Sequence, residues 1–167
     1  VAKILTGWTI DRPQQGGAFQ FNARNHDNGT KTVMGKVFKP GGESEGEKLL
    51  DMLAAHPATA RHIAYKLAQR FIADEPPASV VDRVAKKFLE TKGDLREVTR
   101  AVITSPEFFD VKYFDAKIKT PLEFVVSALR ATNANIGDAR PLVQAMQQLG
   151  MPLYGAQPPT GYSMTAD

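Results

Sequence analysis

Apolar positions follow two rules along this chain, and the change falls at Gly41-Gly42. Before it, Phe19-Gln20-Phe21-Asn22 and Lys31-Thr32-Val33-Met34-Gly35-Lys36-Val37-Phe38 alternate, as half-buried strands do. Asp27-Asn28-Gly29 lies between them and is a turn-forming sequence. The pattern predicts one small β-hairpin with an extended loop, with His26 and Asp27 at its tip. Ahead of it, Leu5-Thr6-Gly7-Trp8 reads as a helix end with Gly7 as a left-handed cap.

After Gly42 the spacing is helical. Ser44 is placed to cap a helix that carries Leu49, Leu50, Met52 and Leu53 and ends at His56. Pro57 suits the first turn of the next helix. Its apolar stripe is Ala60, Ile63, Ala64, Leu67, Ala68, Phe71 and Ile72, and Asp74-Glu75-Pro76-Pro77 stops it. Ser79 is expected to cap a helix with Val80, Val81, Val84, Ala85, Phe88 and Leu89 inside, ended by Gly93. Asp94 starts another, with Leu95, Val98, Val102 and Ile103 inside, and Ser105-Pro106-Glu107 opens a short turn carrying Phe108 and Phe109. A charged linker runs from Asp110 to Lys119. Thr120-Pro121 begins a helix with Leu122, Val125, Val126 and Leu129 inside, and a last helix spans about Arg140 to Leu149.

These elements predict a mainly α fold, an irregular or orthogonal bundle of five or six helices with a small β-hairpin near its start. Strands and helices do not alternate, which argues against a doubly wound sheet, and no solenoid repeat is present. The expected organisation is a single domain over 1–167, with hairpin and loops over 1–43, a helical core over 44–150 and an irregular tail over 151–167. The 43% of hydrophobic residues suffices for a packed core. The net charge of +3 is small, and Lys and Arg are interleaved with Asp and Glu, which disfavours nucleic acid as a partner. The absence of cysteine removes disulfides, thiolate metal sites and a cysteine nucleophile. No run approaches the roughly 18 apolar residues of a membrane span. Val1-Ala2-Lys3-Ile4-Leu5 lacks an initiator Met and reads as the end of a helix already under way, so a fragment of a longer chain is expected.

The candidate polar site is His26, Asp27, Lys31 and His56. A histidine beside a carboxylate can bind metal or move a proton, with the Asp orienting the ring. Turn chemistry alone explains Asp27, Asn28 and Gly29, but not His26 or Lys31. His56 stands at a helix start, where it either joins exposed amides in holding an anion or simply caps the corner. His62, Lys66 and Arg70, four residues apart, form a basic stripe that serves either as a partner-binding face or as a solvated one, and their mutual repulsion calls for carboxylates from elsewhere. Trp8, Phe19, Phe21, Phe38, Phe108 and Phe109 are expected in the core. No phosphate loop, nucleophile elbow, helical zinc-protease pair or calcium loop is present, so no nucleotide site is indicated, and the cofactor and metal questions stay open.

One ordered set of motifs carries a family resemblance. Leu5-Thr6-Gly7-Trp8-Thr9 is followed by Phe19 to Phe21, by His26-Asp27 through Lys31 with Gly35, and by His56-Pro57-Ala58-Thr59-Ala60. Lys66-Leu67, Arg70-Phe71, Asp74, Pro76-Pro77, Gly93-Asp94-Leu95, Ser105-Pro106-Glu107-Phe108 and Lys119-Thr120-Pro121-Leu122-Glu123 complete it. The chain resembles the bacterial family catalogued as domain of unknown function 1800. The resemblance implies a longer parent protein, export to the periplasm or beyond, and a protein partner from a sulfatase- or phosphatase-like family. It carries no catalytic residues. The function expected is a module of a larger exported protein that binds a protein or a surface polymer. The alternative is a metal-dependent or hydrolase-like enzyme using His26, Asp27 and His56.

Overall fold

The computed structural model describes residues 1–163 and is mainly α, as the periodicity predicts. It contains four short strands, β1 (Trp8–Asp11), β2 (Ala18–Phe21), β3 (Lys31–Val33) and β4 (Lys36–Phe38). Six α-helices follow: α1 (Glu43–Ala54), α2 (Pro57–Phe71), α3 (Ala78–Glu90), α4 (Leu95–Ile103), α5 (Pro121–Ala131) and α6 (Arg140–Gln148). The chain divides into two compact units, 1–60 and 61–167, and the division falls within α2.

The first unit holds two hairpins where one was expected. β1 pairs with β2, Trp8 opposite Phe21, and β3 pairs with β4, Lys31 opposite Phe38. The two alternating stretches therefore never pair with each other. Asp27-Asn28-Gly29 does turn, but through an Asx bond in which the Gly29 N–H donates to Asp27 Oδ1 at 2.8 Å. The hairpin reversal is made instead by Met34-Gly35, with φ of 51° and 79°, the two positive values that a type I′ turn requires. His26 consequently sits at no tip and is buried.

Ile4, Val33, Phe38 and Leu49 form the core of this unit, with Met52 and Leu53 packed against it. α1 begins at Glu43 with Gly42 as its N-cap, two residues before the expected cap, Ser44. Ser44 instead donates to the Gly41 carbonyl at 3.0 Å. Phe38 joins the core, whereas Phe19 is exposed and meets the Trp8 ring edge-on at 5.0 Å. Phe19 thus departs from the core expectation because β1 and β2 form a two-stranded sheet whose burial pattern leaves most positions outside.

In the second unit, Ala64 and Ala68 of α2 and Ile72 just beyond its end are buried at four-residue spacing. Val80, Val81, Val84 and Phe88 of α3 and Val98 and Val102 of α4 supply the larger buried side chains. Asp94 caps α4 as expected, accepting from the N–H groups of Arg96 and Glu97 at 2.9 and 3.2 Å. Ser79 is no cap: α3 starts after Pro77, and the Ser79 hydroxyl donates to Glu107 Oε1 at 2.9 Å. Thr120 and Glu123 close a full capping box on α5. The residues expected inside α5 are not buried, because its neighbour α6 is nine residues long and buries only Met146. From 151 to 163 the chain has no regular element, while the end of the expected tail, 164–167, lies outside the described residues.

Candidate functional site

Three of the predicted site residues meet in the first unit, around a fourth that the sequence reading did not single out. Glu45 occupies the first turn of α1, where a carboxylate is favoured by the free amides. Its Oε1 accepts from the Gly41 N–H at 2.8 Å and lies 3.1 Å from His26 Nε2. Its Oε2 accepts from Lys31 Nζ at 2.8 Å. Lys31 reaches this position because β3 alternates, placing Lys31 and Val33 on the buried face and Thr32 outside. The Lys31 ammonium also donates to the Asp27 carbonyl and stands 3.7 Å from Asp27 Oδ1. Asp27 is tied in turn to Thr6, whose hydroxyl accepts the Asp27 N–H at 2.9 Å, and its carboxylate lies 3.7 Å from Lys3.

His26 is held from both sides. Its Nδ1 is 2.8 Å from the Thr6 carbonyl, which can only accept. A ring protonated on Nδ1 alone would therefore turn a lone pair toward the Glu45 carboxylate. With protons on both nitrogens, each contact becomes a hydrogen bond. The bond to the Thr6 carbonyl, then that to Glu45, raises the His26 pKa above its usual value of 6.5 against the opposing effects of burial and Lys31. Burial pushes Glu45 upward, but the bonds from Lys31, His26 and Gly41 prevail and hold it at about 2. Asp27 is lowered chiefly by the Gly29 N–H. The side chains of His26, Lys31 and Glu45 are 1%, 5% and 2% exposed, so this is an enclosed charge cluster with its hydrogen bonds internally satisfied.

His56 takes no part in the cluster. Its Nδ1 accepts the Ala58 N–H at 3.1 Å and so caps one of the free amides at the start of α2, where Pro57 carries no N–H. Among the described residues, no group of three or more His, Asp or Glu side chains is arranged to hold a metal ion.

In the second unit, His62, Lys66 and Arg70 lie on the exposed side of α2. Lys66 donates to Gln69 Oε1 at 2.9 Å, and Arg70 forms an ion pair with Glu123. Nearby basic residues are similarly engaged: Arg83 binds both carboxylate oxygens of Glu107 at 2.8 and 3.0 Å, and Lys87 meets Glu90 at 3.0 Å. The same unit contains a groove of about 540 Å³ walled by Phe71, Phe109, Tyr113 and Phe114 and edged by Asp110 and Asp115. Phe108 and Phe109 meet edge-on at 5.0 Å, but Phe109 faces outward rather than into a core.

The family model described as protein of unknown function (DUF1800) matches residues 1–167. The chain belongs to that family. No curated protein and no solved structure matches it. No described helix of this DUF1800 chain is long and apolar enough to cross a membrane.

Two features of these units escaped the sequence reading. Glu45 stands four residues before Leu49 and eight before Leu53, so it shares the inward face of α1; that spacing was its available signal. The groove had a weaker one, the density of aromatic residues in a stretch that reads as a charged linker.

The cluster makes a pH prediction for this DUF1800 chain. Glu45, lowered to about 2 from 4.5, stabilises the fold above pH 4.5 and loses that contribution as pH falls toward 2. His26, raised from 6.5, stabilises it below pH 6.5 and loses that contribution as pH rises through its folded value. Urea midpoints followed by the emission of Trp8, the single tryptophan, should be highest between about pH 4.5 and 6.5. In His26→Asn the decline above pH 6.5 should disappear; its persistence would show that His26 is not the titrating group.

Proposed function

We propose that this DUF1800 chain is a protein-binding module whose contact surface lies in the second unit, and that the buried cluster of the first unit is a structural lock. The observation that carries this reading is the exposure of Phe109, Val111, Phe114 and Ile118 at 74%, 85%, 80% and 71% within one short segment. Single exposed apolar residues are ordinary, but a run of this kind marks a contact surface. Phe124 and Leu122 of α5 add to the apolar exposure of the same unit. The reading is further supported by the enclosure of His26, whose two ring nitrogens are both engaged, and by the capping role of His56. These engagements disfavour the hydrolase-like or metal-dependent alternative built on His26, Asp27 and His56. The partner belongs, on this proposal, to the sulfatase- or phosphatase-like class that the family resemblance implies, outside the cytoplasm.

A photo-crosslinking amino acid at position 114 of the full chain, expressed in the organism that produces it, tests the reading. A discrete protein adduct is expected there and none from position 37, where Val37 is exposed on the other unit. No adduct at either position, or the same broad smear at both, would overturn it.

A further inference from the structure

The groove in the second unit has a chemistry more specific than apolar exposure. Five aromatic rings, of Phe71, Phe108, Phe109, Tyr113 and Phe114, share its walls with the carboxylates of Asp110 and Asp115. An aromatic face is electron-rich, and a carboxylate beside it completes a site for a cation with an apolar body. The chain itself already displays this pairing: Lys112 Nζ lies 4.7 Å from the centre of the Tyr113 ring and 3.5 Å from Asp110 Oδ2. Asp110 is further engaged as the cap of its own helical turn, accepting the Lys112 N–H at 3.0 Å. Lys112 therefore compensates Asp110 and covers Tyr113. Asp115 has no hydrogen-bond or ion-pair partner among the described residues, and the Phe114 ring next to it is 80% exposed. Asp115 also adopts φ of 56°, a left-handed conformation uncommon for a residue other than glycine. The groove thus presents one uncompensated carboxylate beside open aromatic faces. At about 540 Å³ it lies within the roughly 300–1,000 Å³ range of binding sites, large enough for several side chains.

We propose that this groove binds a basic side chain, arginine in preference to lysine, set in an apolar stretch of a partner polypeptide. The guanidinium plane stacks on Phe114 and pairs with Asp115, while the flanking apolar side chains cover Phe109 and Phe71. Arginine is preferred because its planar, weakly hydrated cation stacks on an aromatic ring while keeping its in-plane N–H groups for a carboxylate. The inference rests on the binding-module reading and names the chemistry of its partner.

Fluorescence anisotropy with labelled, capped peptides tests it on the full chain. One peptide alternates leucine and arginine; in two others the arginines are replaced by citrulline, a neutral isostere, or by glutamate. The arginine peptide should bind saturably, and the other two at least about tenfold more weakly, as expected for a charge-assisted aromatic site. Asp115→Asn should weaken the arginine peptide about threefold to tenfold, and Phe114→Ala at least about tenfold. Both side chains are exposed, so unchanged circular dichroism and thermal unfolding serve as the folding check. Equal binding of the citrulline or glutamate peptide would overturn the cation preference. Binding that ignores Phe114→Ala would overturn the groove as the site. If no peptide binds although position 114 crosslinks a protein, this inference fails and the binding-module reading stands. If neither occurs, both fail.

Discussion

Replacing Glu45 with alanine should lower folding stability by about 3–5 kcal/mol, the usual cost of leaving buried charges without their partner. The reason lies in what remains. Lys31 would keep the Asp27 carbonyl, an Asp27 carboxylate oxygen at 3.7 Å and His26 Nε2 at 3.5 Å, and His26 would keep Thr6 and that long contact to Lys31. Both side chains would remain nearly sealed from water. Glu45→Gln should cost less, since the amide oxygen can still accept one bond while the charge attraction is lost. A double variant, Lys31→Met with Glu45→Leu, should recover much of the loss, because apolar replacement of both partners removes the desolvation penalty along with the attraction. Urea unfolding followed by Trp8 emission reads the unit directly. A loss below about 1 kcal/mol for Glu45→Ala would mean that solvent reaches the cluster and that it locks nothing.

The second large effect is expected at Gly46, where a helix rule reverses. Alanine in place of an interior helical glycine ordinarily gains about 1 kcal/mol. Here the added Cβ would stand 2.5 Å from Trp8 Cε2 and 2.9 Å from Nε1, so the indole would have to leave its place on α1. Overpacking of this kind costs about 1–3 kcal/mol, which outweighs the helical gain. The indole N–H is already buried without a hydrogen-bond partner among the described residues, and the ring is held there by packing and by the edge-on contact with Phe19. Gly46→Ala should therefore lower Tm and shift the Trp8 emission to the red as the ring becomes wet. Trp8→Leu should relieve most of the Tm penalty when combined with it. An increase in Tm with unchanged emission would refute the close approach of indole and glycine.

The helices were readable because each buries a stripe, and a stripe leaves a period. The four-residue beat of Ala60, Ala64, Ala68 and Ile72 is the clearest case, and the caps at Asp94 and Thr120 follow from local chemistry. Periodicity does not say how much of a stripe finds a neighbour. Phe71 continues the α2 pattern but remains exposed and joins the groove, and the apolar face of α5 exceeds what α6 covers. Strand pairing was less readable. Asn28-Gly29 advertises a hairpin, whereas Met34-Gly35, which makes one, does not, because methionine rarely adopts positive φ. His26, Asp27 and Lys31 were visible as polar residues in excess of what a turn needs. Their organiser was hidden because Glu45 opens a helix, where an acidic residue calls for no further explanation.

The division into two-stranded sheets also bears on self-association. A strand in a two-stranded sheet always has one side unpaired, so β1, β2, β3 and β4 each offer a row of backbone donors and acceptors to another chain. The strands are only three or four residues long, which limits how many such bonds an intruding strand can make. Lys36 on β4 and Asp11 at the end of β1 place charge along these rims. Brevity and charge guard these rims, so lengthening a hairpin or neutralising its charges would favour intermolecular β-pairing before it strengthened the fold.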